Sequence, residues 1–477
     1  MKLSTILLLG LLVHATSCSK KSASDSNPTP PPTVITPVKT DVAMWLTNPD
    51  KSQLLAKQNV SLLFNSATNL NATINVDTTS VYQSIDGFGF CLTGRSATLI
   101  NSLPAAQSQA LINELFSTEN TAIGISYIRI SLGASDLSSY TFTYDDQGPD
   151  INLQNFSIAV EQVDLIPVLK KIIAINPSIK ILACPWSAPA WMKTNNKLEG
   201  GSLQPQYFSV YANYFVKYIQ AMTAQGITID AITPQNEPLN YTNNPSMVME
   251  AADQTLFVKN HLGPAFQSAG IKTKIIVYDH NCDRPDYPLT VLGDAVANAF
   301  IDGSGFHLYA GDISAMTQVH NAYPNKNIYF TEQAITTYGT FSSDLNAHVN
   351  SLIVGATRNW SRNVLEWNLA SDPSNGPQTT VGCPMCIGAL TITPSSITRN
   401  VSYYIIAHAS KFVRPGAVRI ASNEISGLPN VAFKNTDGSK VLIVLNNSGS
   451  AKTFNIKFNA KIVASTLNNG AVATYTW

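Results

Sequence analysis

Eight short apolar runs carry the middle of this chain: Ile85–Phe90, Tyr127–Leu132, Ile179–Cys184, Ala231–Pro234, Lys274–Asp279, Gly303–Leu308, Asn327–Thr331 and Asn363–Asn368. Helical patterns separate most of them, at Ala105–Phe116, Ile158–Ile175, Pro205–Ala224, Met247–Ala269 and Ser343–Arg358. A strand that is apolar on both faces has to be covered on both faces. The repeat of such strands with intervening helices predicts a parallel sheet closed into a (β/α)8 TIM barrel. A doubly wound open sheet is the alternative. It would carry a Gly-rich phosphate turn after its first strand, whereas Gly87-Phe88-Gly89 runs on into Phe90-Cys91.

Residues at the C-terminal ends of barrel strands face one shared mouth. Collected along this chain they are Arg129, Trp186, Asn236 with Glu237, Asp279 with His280, His307 with Tyr309, Glu332, and Trp367 with Asn368. Indoles offer flat apolar faces to sugar C–H surfaces, and the polar groups can read hydroxyls. The sequence has no nucleotide loop, paired metal-ligand motif or Gly-x-Ser-x-Gly elbow, so neither a cofactor nor a metal is expected.

Two carboxylates stand out. Glu237 closes Thr233-Pro234-Gln235-Asn236-Glu237-Pro238 after the fourth run, and Glu332 closes Ile328-Tyr329-Phe330-Thr331-Glu332 on the seventh. Strands three steps apart in an eight-stranded barrel face each other across the mouth. Carboxyl groups about 5–5.5 Å apart perform retaining glycoside hydrolysis, one as nucleophile and the other as acid and then base. Solvated loop carboxylates, or halves of ion pairs, would be the bland alternative.

At these residues the chain resembles glycoside hydrolase family 30, the family of glucosylceramidases, β-1,6-glucanases and some xylanases. The resemblance rests on Asp86-Gly87-Phe88-Gly89, Tyr127-Ile128-Arg129, the run Cys184 to Thr194, Asn236-Glu237-Pro238, Phe306-His307-Leu308-Tyr309, Glu332, Ser410 to Gly416 and the closing Ala473 to Trp477. It implies a TIM barrel with an antiparallel β-sandwich built from both chain ends. It also implies Glu237 as acid/base, Glu332 as nucleophile and Asn236 on the sugar 2-hydroxyl. Trp186, His307, Tyr309 and Trp367 would line the subsite, and Arg129 would support the carboxylates or contact substrate. Where many members read Thr-Asp-Ala, with the Asp on outer glucose hydroxyls, this chain reads Thr93-Gly94-Arg95-Ser96. That departure, with Leu92-Thr93-Gly94 and Gly382 to Cys386, is more similar to exported bacterial members near the β-1,6-glucanase branch. The expected substrate is therefore β-1,6-glucan or its oligosaccharides. Glucosylceramide or xylan hydrolysis is the alternative within the family, and a non-catalytic glycan-binding lipoprotein is the alternative outside it.

The chain ends differ from the middle. Residues 1–18 read as an export signal, with Lys2, an apolar Ile6–Val13 run and Ala15-Thr16-Ser17-Cys18, which resembles a lipoprotein cleavage site with Cys18 lipidated; ordinary cleavage near residue 17 is the alternative. Residues 19–40 hold five Pro, four Ser and four Thr, too little apolar surface to fold, and read as a tether. Residues 41–84 contain strand-like stretches (Val60–Phe64, Thr73–Val76), expected to join a C-terminal sandwich over 406–477, with the barrel over 85–405. In that last segment, β-rich runs alternate with Asx-Gly clusters ending at Gly438, Gly449 and Gly470. The 30 Lys+Arg balance 30 Asp+Glu, which leaves no electrostatic footprint for nucleic acid. Membrane association is expected only through the lipid anchor.

Weaker signals complete the reading. Cys383 and Cys386 form a single CxxC, half a zinc site at most, and are expected as a loop-stiffening disulfide or as free thiols. Cys91, Cys184 and Cys282 are expected to be buried and uninvolved. Trp191 is either a sugar platform or core. Arg95 is a candidate to replace part of the grip lost at Gly94.

Overall fold

The computed structural model describes residues 38–477. The signal segment, Cys18 and nearly all of the 19–40 tether lie outside the described residues. The barrel strands are β1 (Gly87–Cys91), β2 (Tyr127–Ser131), β3 (Lys180–Cys184), β4 (Ala231–Ile232), β5 (Lys274–Cys282), β6 (Ile301–Gly311), β7 (Asn327–Glu332) and β8 (Ser361–Asn368). Each pairs in parallel with the next, and β8 pairs back onto β1, closing the cylinder. Closure brings backbones close. A Cβ on Gly89 would stand 1.9 Å from the Tyr127 carbonyl oxygen, so β1 needs glycine there.

The two-residue period of a strand divides each one between the helix-covered exterior and the lumen. Ile128 and Ile130 pack outward, as do Ile181 and Ala183, and Ile328 and Phe330. Tyr127, Leu182, Ala231, Ile276, Tyr329 and Leu365 turn inward and fill the lumen as one apolar layer. This plug forms the floor on which the mouth is built.

Helices Ala105–Phe116, Leu165–Ile175 and Phe208–Ala224 fall where apolar periodicity placed them. Five further helices do not: Gly94–Ser102, Asp286–Gly293, Ala295–Phe300, Ala315–Ala322 and Val401–Ser410. The first four span too few turns for a clear stripe. The last is buried at every position and so has no polar face to create a period. It also runs across position 405, where the sequence reading had ended the barrel.

The second layer is a nine-stranded sheet that folds over its own core of Ile74, Val76, Leu442, Val444, Phe454, Ile456 and Tyr475. Ala72–Ser84 serves both halves. Its start pairs in parallel with Lys452–Phe458, the one parallel ladder in this sheet, and the rest pairs antiparallel with Val418–Ser422. Both chain ends meet where Ala43–Thr47 lies antiparallel to Val472–Thr476. Stretch 60–64 forms no strand; beside it, Asn65 makes an isolated bridge to Ile462. Gly438, Gly449 and Gly470 all take positive φ in the expected turns.

Candidate active site

The polar mouth begins one layer above the Tyr127 plug. Two residues along β2, Arg129 turns into the lumen and is fully buried. Its guanidinium donates to Glu332 Oε2 at 2.6 Å, Asn236 Oδ1 at 2.7 Å and Asp279 Oδ2 at 2.8 Å. One planar fork thereby fixes groups from β4, β5 and β7. Its upper side faces Trp186, whose ring centroid lies 4.8 Å away, and Trp186 stacks on Trp367 at 5.3 Å.

Irregular backbone aims the carboxylates. Tyr278 and Asp279 both have positive φ, and the β5–β6 register slips between Tyr278 and His280. This bulge reverses the in–out alternation of β5 and sends Asp279 inward. There Asp279 also accepts from Thr331 Oγ1 at 2.6 Å, Thr233 Oγ1 at 2.8 Å and Cys184 Sγ at 3.1 Å. The β6–β7 register slips between Phe330 and Glu332, which turns Glu332 toward the mouth. Glu237 has φ 43°, unfavourable for a residue with a Cβ, and is held by Glu237 N donating to the Asp279 carbonyl at 3.0 Å.

Glu237 and Glu332 present carboxylate oxygens within 4.8 Å of one another, and His307 Nδ1 lies nearer Glu237 than Glu332, which is 3.9 Å away. His307 Nδ1 is 3.1 Å from Glu237 Oε1, and its Nε2 is 3.2 Å from Asp279 Oδ1. Asn240 donates to Glu237 Oε2 at 2.8 Å, and Tyr309 donates to Glu332 Oε1 at 2.9 Å. A cavity of about 570 Å3 opens above the pair. Trp186, Trp367, Asn236 and Tyr309 wall it beside the two glutamates; Asp136 and the Cys383–Cys386 loop close one side, and the Leu239–Asn243 loop the other.

One expected lining residue, His307, sits deeper: like Arg129, expected as support for the carboxylates or a substrate contact, it is fully buried beneath them, enclosed by the acidic groups it serves. Both hold the carboxylates in position. Arg95 is likewise turned away. It donates to the Pro377 carbonyl, to Gln378 Oε1 at 3.2 Å and to the Cys386 carbonyl at 3.4 Å, and so straps a loop. Cys383 and Cys386 are disulfide-bonded. Cys91, Cys184 and Cys282 are buried free thiols, but Cys184 is not uninvolved, since it donates to Asp279. Trp191 is core, its indole N–H donating to the Asp145 carbonyl at 2.9 Å.

Three carboxylates here face two cations, and the ionisation follows from that. Burial opposes charge on Asp279, but Arg129 and the His307 bond hold its pKa well below the usual carboxylate range. Burial also opposes charge on Glu237, yet the bond and charge of His307 bring it down to about 2. For His307 burial favours the neutral ring, and the charges of Glu332, Asp279 and Glu237 overturn this and raise it to about 9. Glu332 moves upward: burial outweighs the pull of His307 and Arg129. The resting site therefore carries its proton on His307, hydrogen-bonded to both Glu237 and Asp279.

Among the described residues, Glu237, His307 and Glu332 form the one group with metal-like spacing. Both ring nitrogens of His307 point at carboxylate oxygens and act as donors, so the imidazolium has no lone pair to offer a cation. The set is an ion-paired acid–base cluster.

The chain matches the family description "Glycosyl hydrolase family 30 TIM-barrel domain" over residues 85–413 and "Glycosyl hydrolase family 30 beta sandwich domain" over 416–475. It is 36% identical over 389 residues to an endo-1,6-β-D-glucanase of Neurospora crassa, covering 77% of this chain and 80% of that one. It is 29% identical over 404 residues to a putative glucosylceramidase of Caenorhabditis elegans, covering 79% and 77%. The solved structure titled as the endo-β1,6-glucanase BT3312 superposes with a TM-score of 0.86 at 37% identity, covering 92% of this chain and 99% of that one.

Proposed function

Because the chain belongs to glycosyl hydrolase family 30, we propose that it is a retaining β-glycosidase that cleaves internal bonds of β-1,6-glucan. The observation that carries the chemistry is the approach of Glu237 and Glu332 oxygens to within 4.8 Å beside the Trp186–Trp367 wall. That close approach suits direct attack by one carboxylate, whereas an inverting pair sets its carboxyls about 6.5–9.5 Å apart to seat a water beneath the sugar.

Glu332 attacks the anomeric carbon. Arg129 and Tyr309 hold its two oxygens in place and favour its charged form against the burial that raises its pKa. Asn236 must turn its Oδ1 toward Arg129, which leaves its Nδ2 to donate to the 2-hydroxyl, a bond that tightens as the sugar acquires oxocarbenium character. Glu237 delivers the proton to the departing oxygen. Its low resting pKa runs against that role taken alone, since an acid must be protonated before attack. The proton it needs is held on His307, 3.1 Å away, so the pair acts as one acid. As the leaving oxygen gains charge, the proton passes from His307 through Glu237 to it. In the second half, Glu237 takes a proton from water, which opens the glycosyl ester on Glu332.

The substrate reading is supported by the endo-1,6-glucanase names of the relatives and by the open rim at Tyr241, 65% exposed, where a chain could continue past the cavity. Product analysis on β-1,6-glucan, β-1,3-glucan, glucuronoxylan and glucosylceramide tests it. Oligosaccharides of mixed length released early from β-1,6-glucan are expected. A preference for xylan or the lipid would overturn the substrate and leave the retaining pair standing.

Export with a lipid on Cys18 is part of the same proposal, resting on the sequence of residues 1–40. Among the described residues no helix is long and apolar enough to cross a membrane. Cys18→Ser should move the protein from the detergent phase to the soluble fraction; unchanged partition would overturn the anchor.

A further inference from the structure

The loop that follows Glu237 leaves β4, passes the exposed Tyr241 and returns at Met249, whose N–H donates to the Pro238 carbonyl at 2.9 Å. Asn240 sits on the outgoing limb, where its Nδ2 holds Glu237 Oε2 at 2.8 Å. A loop that aims an acid has to be held somewhere, and the hold is on its returning limb. The Ser246 carbonyl accepts from Lys193 Nζ at 2.7 Å. Ser246 N donates to the Leu198 carbonyl at 2.9 Å, and Ser246 Oγ accepts from Gly200 N at 2.9 Å.

Lys193 is itself fixed. It is only 1% exposed, its backbone bridges to Leu203, and its carbonyl accepts from Gln204 Nε2 at 2.9 Å. Its Nζ also donates to Ser187 Oγ at 2.8 Å, next to Trp186 of the cavity wall. One amino group thus ties the segment after β3, which carries the indole, to the segment after β4, which carries the acid. Both partners are neutral, and burial takes the Lys193 pKa down to about 7 against the pull of Glu199. The neutral amine keeps two N–H bonds, one for each acceptor. Burying a lysine is unfavourable, and an apolar side chain would fill the space at less cost. Packing alone does not call for this residue.

We propose that Lys193 is a positioning residue for proton transfer: it anchors the loop after β4, and so keeps Asn240 on Glu237 and Glu237 on the departing oxygen. This rests on the reading of Glu237 as acid and base given above. Lys193 lies outside the cavity lining, so it acts through the loop and not on the sugar.

The test compares Lys193→Met, Ser187→Ala and Glu237→Gln with wild type on two substrates, with a thermal melt of each variant. Dinitrophenyl β-glucoside has a leaving group that departs without a proton, and phenyl β-glucoside has one that needs it. Misplacing the acid should lower kcat/KM of Lys193→Met about ten- to hundredfold on the phenyl substrate and less than about twofold on the dinitrophenyl one. Ser187→Ala removes one of the two acceptors of the same amine and should show a smaller split in the same direction. Equal losses on both substrates, or no loss on the phenyl one, would overturn the proposal. If Lys193→Met melts early, Ser187→Ala carries the same decision. Glu237→Gln sets the full size of the split. Its absence there would overturn the acid/base reading, whereas a split in Glu237→Gln that both other variants lack would overturn the Lys193 proposal alone.

Discussion

His307 Nδ1 lies 3.1 Å from Glu237 Oε1, so the acid/base carboxylate is paired with the group that carries its proton. The sign of the pH dependence follows. Glu332 must be ionised, and its upward shift places the acidic limb of kcat/KM above 4.5. The Glu237–His307 pair must hold one proton, which it loses as pH rises through about 9. A bell between these limits is expected. His307→Gln removes the cation that depresses Glu237, so the alkaline limb should move to lower pH. A limb that stays near pH 9 in the variant would contradict the shared proton.

Asp279 is the buried counter-ion of Arg129, with neither side chain exposed. Asp279→Asn leaves that guanidinium under-compensated, and breaking such a pair costs about 3–5 kcal/mol. The Asp279 pKa lies well below 3.8, so its stabilisation is present above that value and is lost as pH falls. Denaturant melts should therefore show a large difference between wild type and variant at pH 7 that narrows toward pH 3. A constant difference would contradict the ion-pair account.

Chelation separates acid–base chemistry from metal chemistry at the same three groups. With both His307 nitrogens committed to carboxylates, turnover should survive prolonged EDTA treatment. Loss of activity restored by a divalent cation would show that Glu237, His307 and Glu332 are ligands.

Much of this site was legible from strand ends. Glu237, Glu332, Asn236, Trp186, Trp367 and Tyr309 are brought together at one cavity, as a barrel requires of residues at those positions. Asp279 was visible as a strand-end residue but not as the hub beneath the site. A two-residue period cannot announce the bulge at Tyr278–Asp279 that reverses its side. Asp136 was missed outright, since it lies on a turn with no motif, and its place depends on clamps from residues 95 and 379. The depth of His307 was not legible, because sequence gives position along a strand but not depth below its tip, whereas the support that Arg129 gives the carboxylates was. The sandwich was legible through its Asx-Gly turns. Ala43–Thr47 was not, because its partner strand lies at the opposite end of the chain.

Tyr241 projects from the cavity rim on the loop after Glu237. Stacking on an aromatic face contributes where the chain continues past the cleaved bond, and an aryl glucoside does not reach it. Tyr241→Ala should raise KM on β-1,6-glucan severalfold while leaving kcat/KM on nitrophenyl β-glucoside unchanged. Equal losses on both would place Tyr241 in the structure of the loop instead.

The most direct test of the account is the identity of the residue that becomes glycosylated. A C2-fluorinated β-glucoside with an activated leaving group slows both steps, but the second more, because fluorine disfavours the oxocarbenium-like transition state. Incubation followed by peptide mapping by mass spectrometry should place one fluoroglucosyl group on Glu332, with none on the Glu332→Gln variant. A label on Glu237, or inactivation-free turnover that releases the α-anomer first, would contradict the pairing of Glu332 as nucleophile with Glu237 as acid and base.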